Sequence, residues 1–184
     1  MKRLVSDTFD EFEDRTKPTN LCFNTKQYES KDGKKYSFGI WDTAGEEEFD
    51  SISTFYYRGA GCALLVYDIT NRKSYDGLSR FLSKLTVTNP EAILVIIGSK
   101  LDLVESDPNL RKVTTEEANQ KAKTLKSMFF EVSSKTGENV QELWKKIGIS
   151  YESTLQTQNP TPIQNKKPSS RIDLKKGKKK KKRC

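Results

Sequence analysis

The chain has 184 residues, of which 34% are hydrophobic and 32% charged, and its formal net charge is +8. It has no histidine, which removes the commonest general base and metal ligand, and its three cysteines are too few for a disulfide framework or a metal cage. These properties predict one soluble domain with an appendage, from a reducing compartment.

The N-terminal sequence MKRLVSDTFDEFED predicts the second half of a helix. Leu4, Val5, Phe9 and Phe12 recur at helix-compatible spacing among acidic residues, and the pattern begins almost at Met1. The segment lacks the apolar core of a signal peptide.

The next segments predict a hairpin and then the strands of a parallel sheet. Leu21–Tyr28 and Tyr36–Trp41 are predicted strands, and Asp32-Gly33 between them is a hairpin turn signal. Cys62–Tyr67 and Ala92–Ile97 are continuous apolar runs, which is typical of strands buried on both faces of a parallel sheet. Neither run approaches the roughly twenty apolar residues that a membrane-spanning helix needs.

Helical periodicity alternates with these strands. The predicted helices are Ser74–Leu85, Thr115–Lys126 and Val140–Tyr151, and Phe129–Val132 is a further predicted strand. Glutamates following Thr114 and Thr115 suit a helix N-terminus. This alternation predicts a doubly wound α/β domain with a mostly parallel sheet over residues 1–153.

Residues 154–184 predict a disordered, polybasic tail. From Lys166 to Cys184 there are eleven Lys or Arg residues against one acid, Asp173, so the tail carries +10 and the rest of the chain −2. Such a tail suits an anionic membrane, a nucleic acid, a nuclear-localisation signal or a solvated end. The absence of aromatic residues among the lysines argues against base stacking.

Three polar loops follow predicted strands: Asp42-Thr43-Ala44-Gly45, Gly98–Asp102 and Ser133–Gly137. Alone, the first loop is equally well explained as a turn, and the other two are better explained as an ordinary solvated loop and a turn. In a doubly wound sheet, however, ligands bind at the carboxyl ends of the strands, and the three loops together are much more specific than any one of them.

The residue types in these loops suit a guanine nucleotide. Asp42 can hold a Mg²⁺-bound water, and Gly45 lets a backbone N–H approach a γ-phosphate. Asp102 can accept from both N–H groups of a guanine edge, with the stem of Lys100 along the base plane. Backbone N–H groups of the Ser133–Gly137 loop could contact the guanine carbonyl.

The motifs WDTAG-x-E-x-F, YYRGAG and LLVYDIT together resemble the Ras superfamily of small GTPases and, within it, the Rab family. The resemblance implies binding of GTP or GDP with Mg²⁺ and regulation of vesicle-mediated transport. It also implies exchange factors, activating proteins and effectors at the switch surface around Phe49–Tyr57. The implied location is cytoplasmic, peripheral on the cytosolic face of intracellular membranes, with no nucleic-acid partner.

The resemblance assigns roles to individual residues. Asp42 would organise Mg²⁺, and Gly45 would sense the γ-phosphate. Guanine would be read by the two later loops, at Ser99, Lys100, Asp102, Ser133, Ser134 and Lys135. Ser99 replaces the family's usual asparagine, and Glu46 replaces the catalytic glutamine, which weakens function without abolishing binding.

Two further assignments also follow from the resemblance. Counting back from Asp42 favours Thr19 as the switch threonine on Mg²⁺, whereas counting forward from SDTFDEF favours Thr16. Thr19 is preferred because the hairpin then needs no insertion. Cys184 would be a geranylgeranylation site, although it does not form a C-a-a-X box.

The family's phosphate-binding loop, G-x-x-x-x-G-K-[ST], does not occur in the sequence. That loop normally lies about forty residues before the Asp of WDTAG, and 41 residues precede Asp42. We therefore expect a domain that lacks the loop and the family's first strand, as an incomplete chain or as a pseudo-GTPase that acts only through partner binding.

Overall fold

The computed structural model describes residues 2–9, 22–43 and 57–158. The strands in these ranges are β1 (Cys22–Glu29), β2 (Lys35–Asp42), β3 (Cys62–Asp68), β4 (Ile93–Ser99) and β5 (Met128–Glu131). The helices are α1 (Lys2–Ser6), α2 (Arg72–Asp76), α3 (Leu78–Thr88), α4 (Leu101–Ser106), α5 (Thr115–Thr124) and α6 (Val140–Gln158), with a 3₁₀ turn at Pro108–Leu110.

The predicted strands are all present, with ends shifted by one or two residues. The helices differ more from the prediction than the strands do. The predicted crossover helix is two helices that meet at Gly77, and α4 was not predicted. The last helix continues to Gln158, beyond Ser153, where linker composition begins. The first helix ends at Ser6, and the next residue, Asp7, has a φ of 55°.

Strands β3, β4 and β5 form a parallel sheet in that order. Alternate residues of β4 point to opposite faces, as expected for a strand covered on both sides. Ile96 packs in a cluster with Tyr67 and residues of α2–α5, whereas Val95 and Ile97 pack in a second cluster against α6. The carboxyl ends of the three strands therefore lie together at one edge.

Strands β1 and β2 form a separate antiparallel hairpin. Its turn contains Gly33, whose φ of 79° favours glycine. The inward face is aromatic: the ring of Phe38 lies 5.1 Å from the rings of both Trp144 and Tyr151 on α6. The indole N–H of Trp144 also donates to the carbonyl of Gln27, at 3.2 Å. Helix α6 thus anchors the hairpin.

The hairpin approaches the backbone of α6 closely at Gly148. A Cβ at this position would lie 2.3 Å from a ring atom of Tyr28, nearer than atoms can pack. Glycine is needed here because the tyrosine ring rests directly on the helix backbone. The ring is almost completely buried in this position.

A groove of about 270 Å³ separates the hairpin from the parallel sheet. Its lining includes Phe38 and Ile40 from β2, Cys62 and Leu64 from β3, and Tyr151 from α6. Within residues 2–9, 22–43 and 57–158, no strand pairs with both β2 and β3, so the described strands form two sheets that pack on one helix. None of the helices in these ranges combines the length and apolar character that crossing a bilayer requires.

Candidate nucleotide-binding site

The candidate site lies at the carboxyl ends of the parallel strands. Asp68 ends β3, Ser99 ends β4, and Ser133 follows β5. The backbone joins these strand ends: Ile69 donates to the carbonyl of Ser99 at 3.1 Å, and Leu101 donates to the carbonyl of Val132 at 3.1 Å. The loops that follow the strands are therefore fixed relative to one another.

Ser99 and Lys100 form the turn from β4 into α4. The hydroxyl of Ser99 donates to the carbonyl of Tyr67 at 2.7 Å and so links β4 to β3. Lys100 has φ 68° and ψ 39° and precedes the first residue of α4. This left-handed conformation is uncommon for a residue with a side chain and is typical of functional sites.

The ammonium group of Lys100 lies 2.5 Å from a carboxylate oxygen of Asp68. The other oxygen of Asp68 accepts from the backbone N–H of Thr70 at 2.8 Å and from its hydroxyl at 2.6 Å. Partial burial acts to raise the pKa of Asp68, but the hydrogen bonds from Lys100 and Thr70 outweigh it, and this pKa lies below its ordinary value. Asp68 is therefore an anionic partner that orients Lys100.

Asp102 lies in the first turn of α4, and its carboxylate accepts from the hydroxyl of Ser133 at 2.6 Å. Ser133 has no exposed surface. Its oxygen also accepts from the backbone N–H groups of Lys135 at 3.1 Å and Thr136 at 3.0 Å. One buried hydroxyl therefore positions both the carboxylate and the loop after β5.

The loop from Ser133 to Gly137 closes on itself. The N–H of Gly137 donates to the carbonyl of Ser133 at 2.9 Å, and Gly137 has a φ of 88°. The guanidinium of Arg3 contacts the outer side of the loop, at the carbonyls of Ser134 and Lys135. The loop is therefore held both by its own backbone hydrogen bond and by the side chain of Arg3.

The structure brings together one group of the predicted residues: Ser99, Lys100, Asp102, Ser133, Ser134 and Lys135. Asp42 ends β2 in the other sheet, and within the described ranges no hydrogen bond or ion pair joins it to this group. Gly45, Glu46, Thr16, Thr19 and Cys184 lie outside the described residues, so their roles stay predictions.

Sequence reasoning did not single out Asp68 and Arg3. Asp68 could have been found, because it is a polar residue at the end of an apolar strand, like Ser99. Arg3 carries no comparable signal, since 131 positions separate it from the carbonyl of Ser134 that it contacts. Only the folded chain brings them together.

A comparison with protein families matches residues 2–152 to the Ras family. The chain belongs to the Ras family. The Ras-related protein RABF2b of Arabidopsis thaliana is 35% identical over 160 residues, which are 86% of this chain and 76% of that protein. Its similarity places this chain among the Rab-type small GTPases, and the predicted α/β fold class is confirmed.

Two further relatives of this Rab-type chain carry Rab names. The Ras-related protein Rab-24 of Dictyostelium discoideum is 38% identical over 136 residues, 74% of this chain and 66% of that protein. The Ras-related protein Rab-4B of Homo sapiens is 46% identical over 115 residues, 62% of this chain and 52% of that protein. The chain thus spans just under two thirds of the first relative and about half of the second.

The described residues of this Rab-type chain offer Mg²⁺ a donor of the kind found at nucleotide sites. Within the described ranges, no three His, Cys, Asp or Glu residues are grouped to hold a metal ion. Mg²⁺ at nucleotide sites, however, takes one or two protein oxygens and completes its shell with phosphate oxygens and water. Asp42 offers one such oxygen, so the donor that the described residues supply agrees with an ion borne by a nucleotide.

Proposed function

We propose that this Rab-type chain binds guanine nucleotides at the edge formed by β3, β4 and β5, and that it acts in vesicle transport at membranes. The observation that supports the proposal best is the Asp102 carboxylate, which the buried Ser133 hydroxyl orients at 2.6 Å. The same hydroxyl positions the loop that would face the base. The Ser133 hydroxyl therefore positions both the carboxylate and the loop that would recognise the base.

The chemistry of the base explains why a carboxylate suits this position. The guanine edge presents two N–H donors, at N1 and at the exocyclic amine, and a carboxylate can accept from both. Adenine presents an acceptor at N1, so a carboxylate facing adenine would lose the two N–H partners that guanine offers. Lys100, oriented by Asp68, supplies an aliphatic stem for one face of the base.

Binding of the phosphates and Mg²⁺ would depend on other residues than recognition of the base. Asp42 and Thr19, or Thr16 in its place, would bind the ion, which neutralises phosphate charge when it is bound. Since the sequence has no G-x-x-x-x-G-K-[ST] segment, recognition of the base is the part that the described residues support. Glu46 stays a predicted contact of the attacking water.

The direct test is a thermal shift of the 184-residue chain with GDP and Mg²⁺, with ADP as the control ligand. A ligand at 100 times its Kd adds about 2.7 kcal/mol to the free energy of unfolding. We expect GDP to raise Tm and ADP to leave it unchanged. A folded protein whose Tm is unaffected by millimolar GDP would contradict guanine nucleotide binding and favour a chain that acts only through partners.

Asp102→Asn gives the proposal a residue-level test. An amide offers an N–H where xanthine has its C2 carbonyl, so we expect the variant to lose about 10²-fold or more in GDP affinity and to gain affinity for xanthosine diphosphate. Asp107→Asn is the matched control, because Asp107 caps the 3₁₀ turn after α4. Equal effects of the two substitutions on GDP binding would place Asp102 outside the base site.

The membrane part of the proposal rests on the polybasic tail and Cys184. A basic patch together with one lipid is enough for stable anchoring, whereas a single lipid is marginal. Exchange factors, activating proteins and effectors would then act on the membrane-bound chain.

A further inference from the structure

Arg3 contacts the candidate base-reading loop through two hydrogen bonds. Its Nε donates to the carbonyl of Ser134 at 2.7 Å, and its Nη2 donates to the carbonyl of Lys135 at 2.5 Å. Its side chain is only 17% exposed. The two donors belong to one rigid, planar guanidinium, so the two carbonyls are fixed relative to each other.

Asp7 also orients the guanidinium of Arg3. Its Nη1 donates to the carbonyl of Asp7 at 3.0 Å and to the carboxylate of Asp7 at 3.3 Å. Helix α1 is anchored in turn, because Lys26 of β1 donates to the carbonyl of Leu4 at 2.5 Å and Leu4 packs against the core cluster on α6. The helix that carries Arg3 is therefore held in place by its contacts with β1 and with the core.

Arg3 and Ser133 act on the same two peptide groups from opposite sides. Each peptide unit is planar, with its C=O and N–H pointing in opposite directions. In the unit between Ser134 and Lys135, the C=O accepts from Arg3 while the N–H donates to the Ser133 hydroxyl. The next unit has the same arrangement, with the N–H of Thr136 donating to that hydroxyl. Two successive peptide planes are thus clamped.

The clamp leaves one amide available. Within the described ranges, the N–H of Ser134 donates to no protein acceptor, whereas the N–H groups of Lys135, Thr136 and Gly137 all have one. Ser134 follows directly after Ser133, whose hydroxyl donates to Asp102. A donor N–H and an acceptor carboxylate therefore flank one buried hydroxyl.

We propose that Arg3 is a positioning residue that fixes the Ser133–Gly137 loop so that the Ser134 N–H donates to the C6 carbonyl of guanine. This inference rests on the proposed function, in which the loop amides face the guanine carbonyl, and adds Arg3 as the residue that positions them. Asp102 reads the N1–H and the amine of the base, whereas the clamped loop reads its carbonyl oxygen. Arg3 acts through the loop and does not touch the nucleotide.

The test compares three nucleotides on the full chain and on Arg3→Ala. GDP carries all recognition groups, inosine diphosphate lacks the amine that Asp102 reads, and 6-thio-GDP has a weakly accepting sulfur in place of the C6 oxygen. We expect Arg3→Ala to lower GDP affinity about tenfold, the equivalent of one hydrogen bond. The preference for GDP over 6-thio-GDP should shrink, while the preference for GDP over inosine diphosphate stays unchanged.

Two further variants sharpen the result. Arg3→Lys keeps the charge and one donor and should restore part of the preference for the C6 oxygen. Arg72→Ala removes an arginine that pairs with Asp76 and Glu117 instead, and it should change neither preference. An equal loss of affinity for all three nucleotides in Arg3→Ala would mean a merely structural role, and unchanged affinities would also overturn the inference.

Amide hydrogen exchange of the nucleotide-free chain separates this inference from the proposed function. If the wild-type chain binds none of the nucleotides, the proposed function fails, and the clamp is judged from exchange alone. We expect the Lys135 and Thr136 amides to exchange at least about tenfold faster in Arg3→Ala and at the wild-type rate in Arg72→Ala. Unchanged exchange in Arg3→Ala would refute the clamp itself.

Discussion

Small hydroxyl groups position the candidate site at the scale of single residues. Ser133 joins the Asp102 carboxylate to two loop amides, and Ser99 joins β4 to β3 through the carbonyl of Tyr67. Ser99 stands where the Rab family usually has asparagine. The structure shows that the shorter side chain still makes one link, to the adjacent strand.

The pairing of Asp68 with Lys100 makes stability depend on pH. The pKa of Asp68 is lowered in the folded chain, so its stabilising contribution is fully present above the ordinary unfolded value of about 3.9 and is lost as pH falls through the lower folded value. Lys100 is 42% exposed, so solvent screening limits this contribution to about 1 kcal/mol. Asp68→Asn should be less stable by that amount at pH 7.

Urea unfolding of the wild type and of Asp68→Asn, measured from pH 7 down to pH 2, tests this dependence. The difference in unfolding free energy between the two proteins should shrink below about pH 4, since the other carboxylates titrate equally in both. In a Lys100→Met background the effect of Asp68→Asn should be smaller at every pH. A difference that stays constant with pH would show that Asp68 acts by packing alone.

At the scale of elements, the strands were more predictable than the helices. A continuous apolar run such as AILVII is typical of a strand buried on both faces, and its shortness favours a strand over a helix, so the sequence predicts β4 to within two residues. Helix α4 has six residues, fewer than two turns, and it starts inside a polar loop, so helical periodicity gives no signal. The contact between Arg3 and the loop after β5 depends on the packing of α1 against α6, which no local pattern encodes.

The separation of the two sheets predicts two levels of local stability. The hairpin shares no backbone hydrogen bond with β3–β5 in the described part of the chain, and a two-stranded sheet alone is marginally stable. We therefore expect amide exchange in β1 and β2 to proceed through a lower-energy opening than exchange in β4. Native-state hydrogen exchange at increasing denaturant concentration measures both openings.

Gly148→Ala should increase the difference in local stability between the hairpin and β4. The added methyl group would collide with the Tyr28 ring, so the variant should lower protection in the hairpin and leave β4 almost unchanged. Lys145→Ala changes an exposed position of the same helix and should affect neither sheet. Equal protection of hairpin and β4 in the wild type would mean that the two sheets open as one unit.

At the scale of the whole molecule, charge is divided sharply along the sequence. The tail from Lys166 carries +10, and the remaining 165 residues carry −2. Each basic residue near an anionic leaflet contributes about 1 kcal/mol of attraction. The net charge of the chain is therefore a property of one segment, and electrostatic binding should depend on that segment alone.

Two measurements test the predicted membrane role of the tail. Incubation with a geranylgeranyl donor, the transferase and its escort protein should add a prenyl group to the chain, detected by mass spectrometry, and Cys184→Ser should stay unmodified. The prenylated chain should sediment with phosphatidylserine vesicles more than with phosphatidylcholine vesicles, and less at high salt. Equal incorporation into Cys184→Ser, or retention of RNA in place of vesicles, would contradict the membrane prediction.

The position of α6 in the chain has a consequence for synthesis on the ribosome. The hairpin (22–42) and the parallel sheet (62–131) both leave the ribosome before α6 (140–158), yet Phe38, Val95 and Ile97 all lie in or against the core cluster that packs on this helix. Until α6 emerges, both apolar faces remain open to water and to other nascent chains. Among the described helices, the last to be made is therefore the one that completes this core cluster, and the interval before it emerges is when a chaperone would have most apolar surface to protect.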